Sequence, residues 1–238
     1  MRKISTALLT CLLFLVSTAC AQTQPGQLSE NSLGDANVSE KEKIPYLVST
    51  PAGYNKDKKA VHPAILFLHG GDRSNTRHHP KKYAKKAEID FPFIVIAPHC
   101  TGSCRWGNVD FDELLNEIGK KYRIDKKRVY ITGYSMGGYG TWSAISRFPD
   151  LFAAAAPLAG GGNDQIICKA KGLPIRAYHG DEDRVIPHSE SVKLVDALKK
   201  CDGNAELITI KGGNHGIWPA IFQDAEFYEW LLGHKKSV

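Results

Sequence analysis

The sequence predicts an α/β fold, a mostly parallel sheet with helices on both faces. Two observations carry that expectation. Short runs rich in apolar and β-branched residues recur along the chain, and several are apolar at consecutive positions, as strands covered on both faces require. Between them lie stretches whose apolar residues recur at three-to-four spacing, the mark of helices with one buried face. Strand and helix in alternation give parallel neighbours.

The elements follow in order. Strands are expected at 46–49, 64–68 and 93–97. A helix is expected over 110–122, where Phe111, Leu114, Leu115 and Ile118 share a face. The β-branched run 129–132 is the next strand, and 139–148 after it is helix-compatible. The alanines at 153–156, continuing into Pro157 and Leu158, read as a strand despite alanine's helical preference. The breakers around them, Pro149-Asp150 and Pro157, decide it. A strand at 174–178, a helix at 189–200 (Val192, Val195, Leu198) and a strand at 206–210 come next. Pro219 opens the last helix, where proline suits the first turn.

The ends and the charge bound the setting. Residues 1–21 read as a signal peptide: Arg2 and Lys3, an apolar run over 7–16, then Ala19-Cys20-Ala21. That run is too short to span a bilayer. Cleavage after Ala21 gives an exported protein, periplasmic or secreted. The alternative is a lipoprotein anchored through Cys20, but Ser17 stands where such signals usually carry leucine. Residues 22–43 are polar and read as a flexible leader, because they bury too little to offset their ordering entropy. Residues 44–238 form a single domain. The formal net charge of +6 falls to +4 once Arg2 and Lys3 leave with the signal, and the lysines are scattered, which excludes a nucleic-acid module. Cys100, Cys104, Cys168 and Cys201 remain, an even count that points to disulfides. Three pairings are open. Cys100 and Cys104 could close a short loop, and Cys168 and Cys201 fall at one end of a parallel sheet. A four-cysteine metal site has neither the spacing nor the compartment in its favour.

In such a sheet functional residues gather at the carboxyl ends of strands. Ser135 sits in Gly133-Tyr134-Ser135-Met136-Gly137, between a strand and a helix, where a nucleophile elbow belongs. The glycines leave room around a strained serine. His69-Gly70-Gly71-Asp72 follows the strand at 64–68. His179-Gly180-Asp181-Glu182-Asp183 follows the strand at 174–178, and Gly212-Gly213-Asn214-His215 the strand at 206–210. Serine, acid, histidine in that chain order suits acyl transfer.

On these motifs the chain resembles, over about residues 44–233, the secreted α/β-hydrolases of the carboxylesterase, polyhydroxybutyrate-depolymerase-like and "predicted peptidase" group. The matching pieces are Leu68-His69-Gly70-Gly71, Gly133 to Gly138, His179-Gly180 with Asp183 and Pro187, and Asn214-His215. The resemblance implies an α/β-hydrolase fold with Ser135 as nucleophile, Asp183 as acid and His215 as base. The N–H groups of Met136 and Gly71 would form the oxyanion hole. Gly70 and Gly71 are expected to be small so that backbone can approach the substrate oxygen. Asp181 and Glu182 compete for the acid's place, and His179 and His69 for the base's; those two histidines suit loop bracing better. His78, His79 and His188 read as surface or helix-start residues. Trp106 and Trp218 are expected either to wall the substrate site or to cover the core edge, and Tyr134 is near the site by adjacency. No large insertion follows the elbow, so a small lid or none is expected.

The function expected is an exported serine hydrolase that cleaves carboxylic esters through an acyl-enzyme, on small or polymeric substrates such as acylated polysaccharide or polyester. It calls for no cofactor or metal. The alternatives are a peptidase of prolyl-oligopeptidase type, for whose gating propeller the chain has no room, and a non-catalytic binding protein, whose signature would be a broken triad.

Overall fold

The computed structural model describes residues 35–39, 44–74, 78–100, 102 and 104–237. The expected signal peptide, Cys20 and most of the expected leader lie outside the described residues. Among the described residues eight strands form one sheet: β1 (Asp35–Val38), β2 (Pro45–Ser49), β3 (His62–Leu68), β4 (Ile94–Pro98), β5 (Ile124–Tyr134), β6 (Ala154–Leu158), β7 (Ile175–Gly180) and β8 (Ala205–Ile210). Their spatial order is β1-β2-β4-β3-β5-β6-β7-β8. β1 with β2 and β2 with β4 pair antiparallel, and every other pair is parallel. Helices are α1 (Pro80–Lys86), α2 (Phe111–Lys121), α3 (Met136–Arg147), α4 (Ser189–Lys200), α5 (Trp218–Ile221) and α6 (Ala225–Leu232).

β4 and β6 are buried at every position, and β3 at every position but His62, because both faces are covered. Leu66 and Leu68 of β3 face Phe111 and Leu114 of α2, Trp142 of α3 and Leu194 of α4 in one core. Ile65 and Phe67 face the other core, with Ala84 of α1, Ile221 of α5 and Phe227 and Tyr228 of α6. The alanines of β6 have a packing reason. A Cβ added to Gly138 in α3 would lie 2.5 Å from Leu158 O, so helix and strand are in near-backbone contact and only small side chains fit between them.

β1 corrects the expectation of a flexible leader across 22–43. Asp35–Val38 is an edge strand, paired with β2. The Ser39 hydroxyl after it donates to Glu117 of α2 at 2.8 Å. Main-chain bonds hold such a strand, and composition does not report them. Of the three cysteine pairings the protein has Cys100–Cys104 and Cys168–Cys201. The first ties the loop after β4. The second joins the turn before β7 to the end of α4.

The registers set up the site. Leu68 of β3 aligns with Gly133 of β5, Tyr134 with Leu158 of β6, and Gly180 of β7 with Ile210 of β8. The turns after β3, β5, β7 and β8 therefore open on one edge of the sheet.

Candidate active site

Ser135 lies between β5 and α3 with φ 56° and ψ −119°. A non-glycine residue held there costs about 1–3 kcal/mol, so its surroundings must enforce it. Its N–H donates to Leu158 O at 3.0 Å. A Cβ on Gly137 would stand 1.9 Å from Leu68 O, and one on Gly133 2.6 Å from the same oxygen. The two motif glycines thus let the turn lie directly on the end of β3. Met136 opens α3, so its N–H belongs to the first helical turn, which has no carbonyl one turn back to accept it.

Ser135 Oγ is 2.9 Å from His215 Nε2, and His215 Nδ1 is 2.7 Å from Asp183 Oδ2. Asp183 Oδ1 accepts from the N–H groups of Val185 and Ile186 at 2.8 and 2.9 Å. The Asp183 side chain is fully buried and that of His215 is about one-fifth exposed. Burial opposes ionisation of Asp183. The hydrogen bond from His215 and the two backbone donors outweigh it and hold the carboxyl below the usual carboxylate range. With Asp183 accepting at Nδ1–H, His215 presents a bare Nε2 to the serine hydroxyl.

The competing residues fall elsewhere. Asp181 Oδ1 accepts from the N–H of Gly212 and braces the loop that carries His215. Glu182 is exposed. His69 is fully buried; its Nδ1 donates to Gly70 O and its Nε2 accepts from the N–H of Cys100. It therefore ties the end of β3 to the loop after β4. His179 lies against Asp183, with Nε2 3.3 Å from Oδ2. Gly180 is small because a Cβ there would meet Gly213 O at 2.1 Å, which seats the His215 loop on the end of β7.

Two expectations are corrected. Gly70 is small because a Cβ would strike the Tyr134 ring at 2.4 Å, while one on Gly71 meets nothing within 4 Å. The first glycine thus serves an aromatic neighbour. His78 is not a plain surface residue, whereas His79 does stand at a helix start. His78 is half-buried and stands edge-on to both Tyr134 and Trp218, each 5.8 Å away between ring centroids. His79 is buried and caps α1, its Nδ1 accepting from the N–H of Lys82. His188 does precede a helix, α4.

Two sets of side chains flank the serine turn, one about Tyr134 and one about Met136. Tyr134 stacks on Trp218 at 4.1 Å, and Trp218 stands edge-on to His215 at 5.8 Å. The Tyr134 hydroxyl donates to Asp72, a partner that sequence spacing did not reveal. Burial and that carboxylate raise the Tyr134 phenol well above the usual tyrosine range, so it stays protonated. Beside Met136 opens a cavity of about 290 Å³, walled by Trp106, Tyr139, Trp142 and Ile166 with Arg105 at its lining. Trp106 is buried, with Nε1 donating to His69 O, and it lines this cavity. Among the described residues no group of three or more His, Cys, Asp or Glu could hold a metal ion.

The sheet, its covering helices and the strand-end serine turn define an α/β-hydrolase fold. The model of the dienelactone hydrolase family matches residues 105–220, a span that contains Ser135, Asp183 and His215. The bifunctional acetylxylan esterase/xylanase XynS20E of Neocallimastix patriciarum is 30% identical over 135 residues, covering 54% of this chain and 20% of that protein. Feruloyl esterase B of Piromyces equi is 28% identical over 170 residues, covering 63% and 31%. A solved thermostable esterase superposes with a TM-score of 0.72 at 28% identity, over 87% of this chain and 64% of that one. The chain thus spans between a fifth and a third of these two curated relatives.

Proposed function

We propose that this protein is an exported serine hydrolase that cleaves carboxylic esters, with Ser135 as nucleophile, His215 as general base and Asp183 as the acid that orients it. The observation that carries the reading is the hydrogen-bonded run from Ser135 Oγ through His215 to Asp183. His215 takes the hydroxyl proton as Oγ attacks the ester carbonyl, then gives it to the departing alcohol. Water repeats the sequence on the acyl-enzyme and frees the acid. Asp183 holds the tautomer and offsets the imidazolium charge. The N–H groups of Met136 and Gly71 receive the oxyanion, each such donor being worth about 2.7–4 kcal/mol in the transition state.

The substrates are acyl esters of the kind the relatives' names carry, acetylated or feruloylated polysaccharide, with polyester as a further class. The cavity beside Met136 is mostly apolar and aromatic-walled, which suits a flat or hydrocarbon acyl group. Export is supported by the sequence of residues 1–21 and by two disulfides, which persist in oxidising compartments. No helix among the described residues is long and apolar enough to cross a membrane.

The test is turnover of p-nitrophenyl acetate and butyrate by wild type and Ser135→Ala. The variant is expected to lose about 10⁶-fold in kcat. Equal rates would end the proposal. A peptide library run alongside separates ester from amide cleavage.

A further inference from the structure

We propose that His179 is a positioning residue for this reaction: its Nε2–H holds the same Asp183 oxygen that accepts the hydrogen bond from His215. The inference rests on the triad reading above and adds a residue to it.

His179 is the penultimate residue of β7 and is fully buried. Its Nε2 lies 3.0 Å from Ile186 O and 3.3 Å from Asp183 Oδ2. A carbonyl and a carboxylate only accept, so Nε2 carries the hydrogen and shares it between them. Nδ1 lies 2.7 Å from the hydroxyl of Ser191, a buried residue of α4. Burial disfavours the imidazolium and outweighs the help that Ile186 O and Asp183 give it, so the ring holds one hydrogen. With that hydrogen on Nε2, Nδ1 is bare and accepts from Ser191 Oγ–H. Gly160 O, 3.2 Å from the same hydroxyl, is its more distant partner. Ile186 O and Asp183 therefore fix the tautomer of His179, and the Ser191 hydroxyl holds the ring's other nitrogen in place. Among the described residues the titratable groups facing His179 are Asp183, from its own turn, and His188, whose ring is 5.6 Å away before α4.

The consequence falls on Asp183. An ionised carboxylate has about four lone-pair sites. Here Val185 and Ile186 occupy Oδ1, and His215 and His179 occupy Oδ2. Without the His179 hydrogen, Oδ2 is held by His215 alone. The carboxylate can then turn, and the imidazole loses its aim at Ser135. A carboxylate with one donor fewer is also more basic and favours a protonated His215. A residue that merely packs under the turn would do neither.

The experiment compares His179→Leu, His179→Gln and Ser191→Ala in the full chain, measuring kcat and KM for p-nitrophenyl acetate across pH 5–9. Active sites are counted with a fluorophosphonate so that lost folded protein is not scored as lost activity. His179→Leu is expected to lower kcat by about 10- to 100-fold, the worth of one hydrogen bond to a charged group. KM stays unchanged, and the acid limb of kcat/KM moves to higher pH. His179→Gln keeps an N–H donor near the Nε2 position and is expected to restore most of the rate and the limb. Ser191→Ala falls between. Wild-type kcat and limb in His179→Leu, or equal impairment in the Leu and Gln variants, would overturn the proposal. If His179→Leu does not fold, Ser191→Ala with an unaltered rate and limb overturns it instead. A Ser135-dependent enzyme indifferent to His179 refutes only this inference, whereas activity indifferent to Ser135 refutes the reading beneath it.

Discussion

A carboxylate taken out of water needs donors, and Asp183 has them on both oxygens. Its charge is what the amide of Asp183→Asn lacks. The asparagine would present an NH₂ group to one ring or oxygen and fix the wrong histidine tautomer. The expected loss is about 10⁴-fold in kcat, with the fold intact by circular dichroism. A loss under tenfold contradicts the role. At this scale the sequence was legible where a residue type recurs with its turn: Ser135 between a strand and a helix, Asp183 and His215 after later strands. It was silent where partners meet only in space. Nothing in the spacing says that Gly70 makes room for Tyr134, that Asp72 receives the Tyr134 hydroxyl, or that His179 and His215 share one carboxylate.

Elements follow the same division. All seven expected strands are present, each carrying a run rich in apolar or β-branched residues and bounded by turn residues. α1 was not expected. Its lysines, at 81, 82, 85 and 86, leave only Pro80 and Ala84 buried, too few to mark a helical period. β5 begins at Ile124, not at residue 129, since its first half is the polar stretch 125–128. The expected last helix divides into α5 and α6, with Asp224 capping the second through the N–H of Glu226. The contact between α3 and β3 makes the sharpest prediction at this scale. Gly137→Ala must drive a Cβ into Leu68 O, and backbone cannot step aside as a side chain can. A loss of about 3 kcal/mol or more in urea titration is expected, at or above the upper range for overpacking. Gly71→Ala, which meets open space, should stay within about 0.5 kcal/mol of wild type. Equal effects would show that the tight packing of the serine turn is not what holds it.

The whole molecule carries several histidines that the fold keeps neutral. Burial, then the charges of Lys82, Lys81 and His78, lowers His79 to about 3. Burial also lowers His69 and His179. The unfolded chain binds these protons near the ordinary histidine value of about 6.5, so it gains protons that the folded chain refuses. Stability is therefore full above about pH 6.5 and declines as pH falls toward the depressed folded values. Each group contributes up to about 1.4 kcal/mol per pH unit while it titrates in the unfolded state only. The lowered carboxyl of Asp183 acts later; its stabilisation is present above its unfolded value of about 3.9 and is lost as pH falls through the folded one. Urea midpoints should begin to drop near pH 6.5, and His79→Asn, which keeps a capping oxygen, should flatten the drop. A midpoint constant from pH 7 to 4.5 would contradict this. The central claim is narrower, and it has one direct test. A fluorophosphonate is allowed to react with the folded protein, and the adduct is located by peptide mass spectrometry. One adduct on Ser135, lost in Ser135→Ala and slowed by orders of magnitude in His215→Ala, is the result expected. A folded protein that takes no adduct, or takes it elsewhere, contradicts the account.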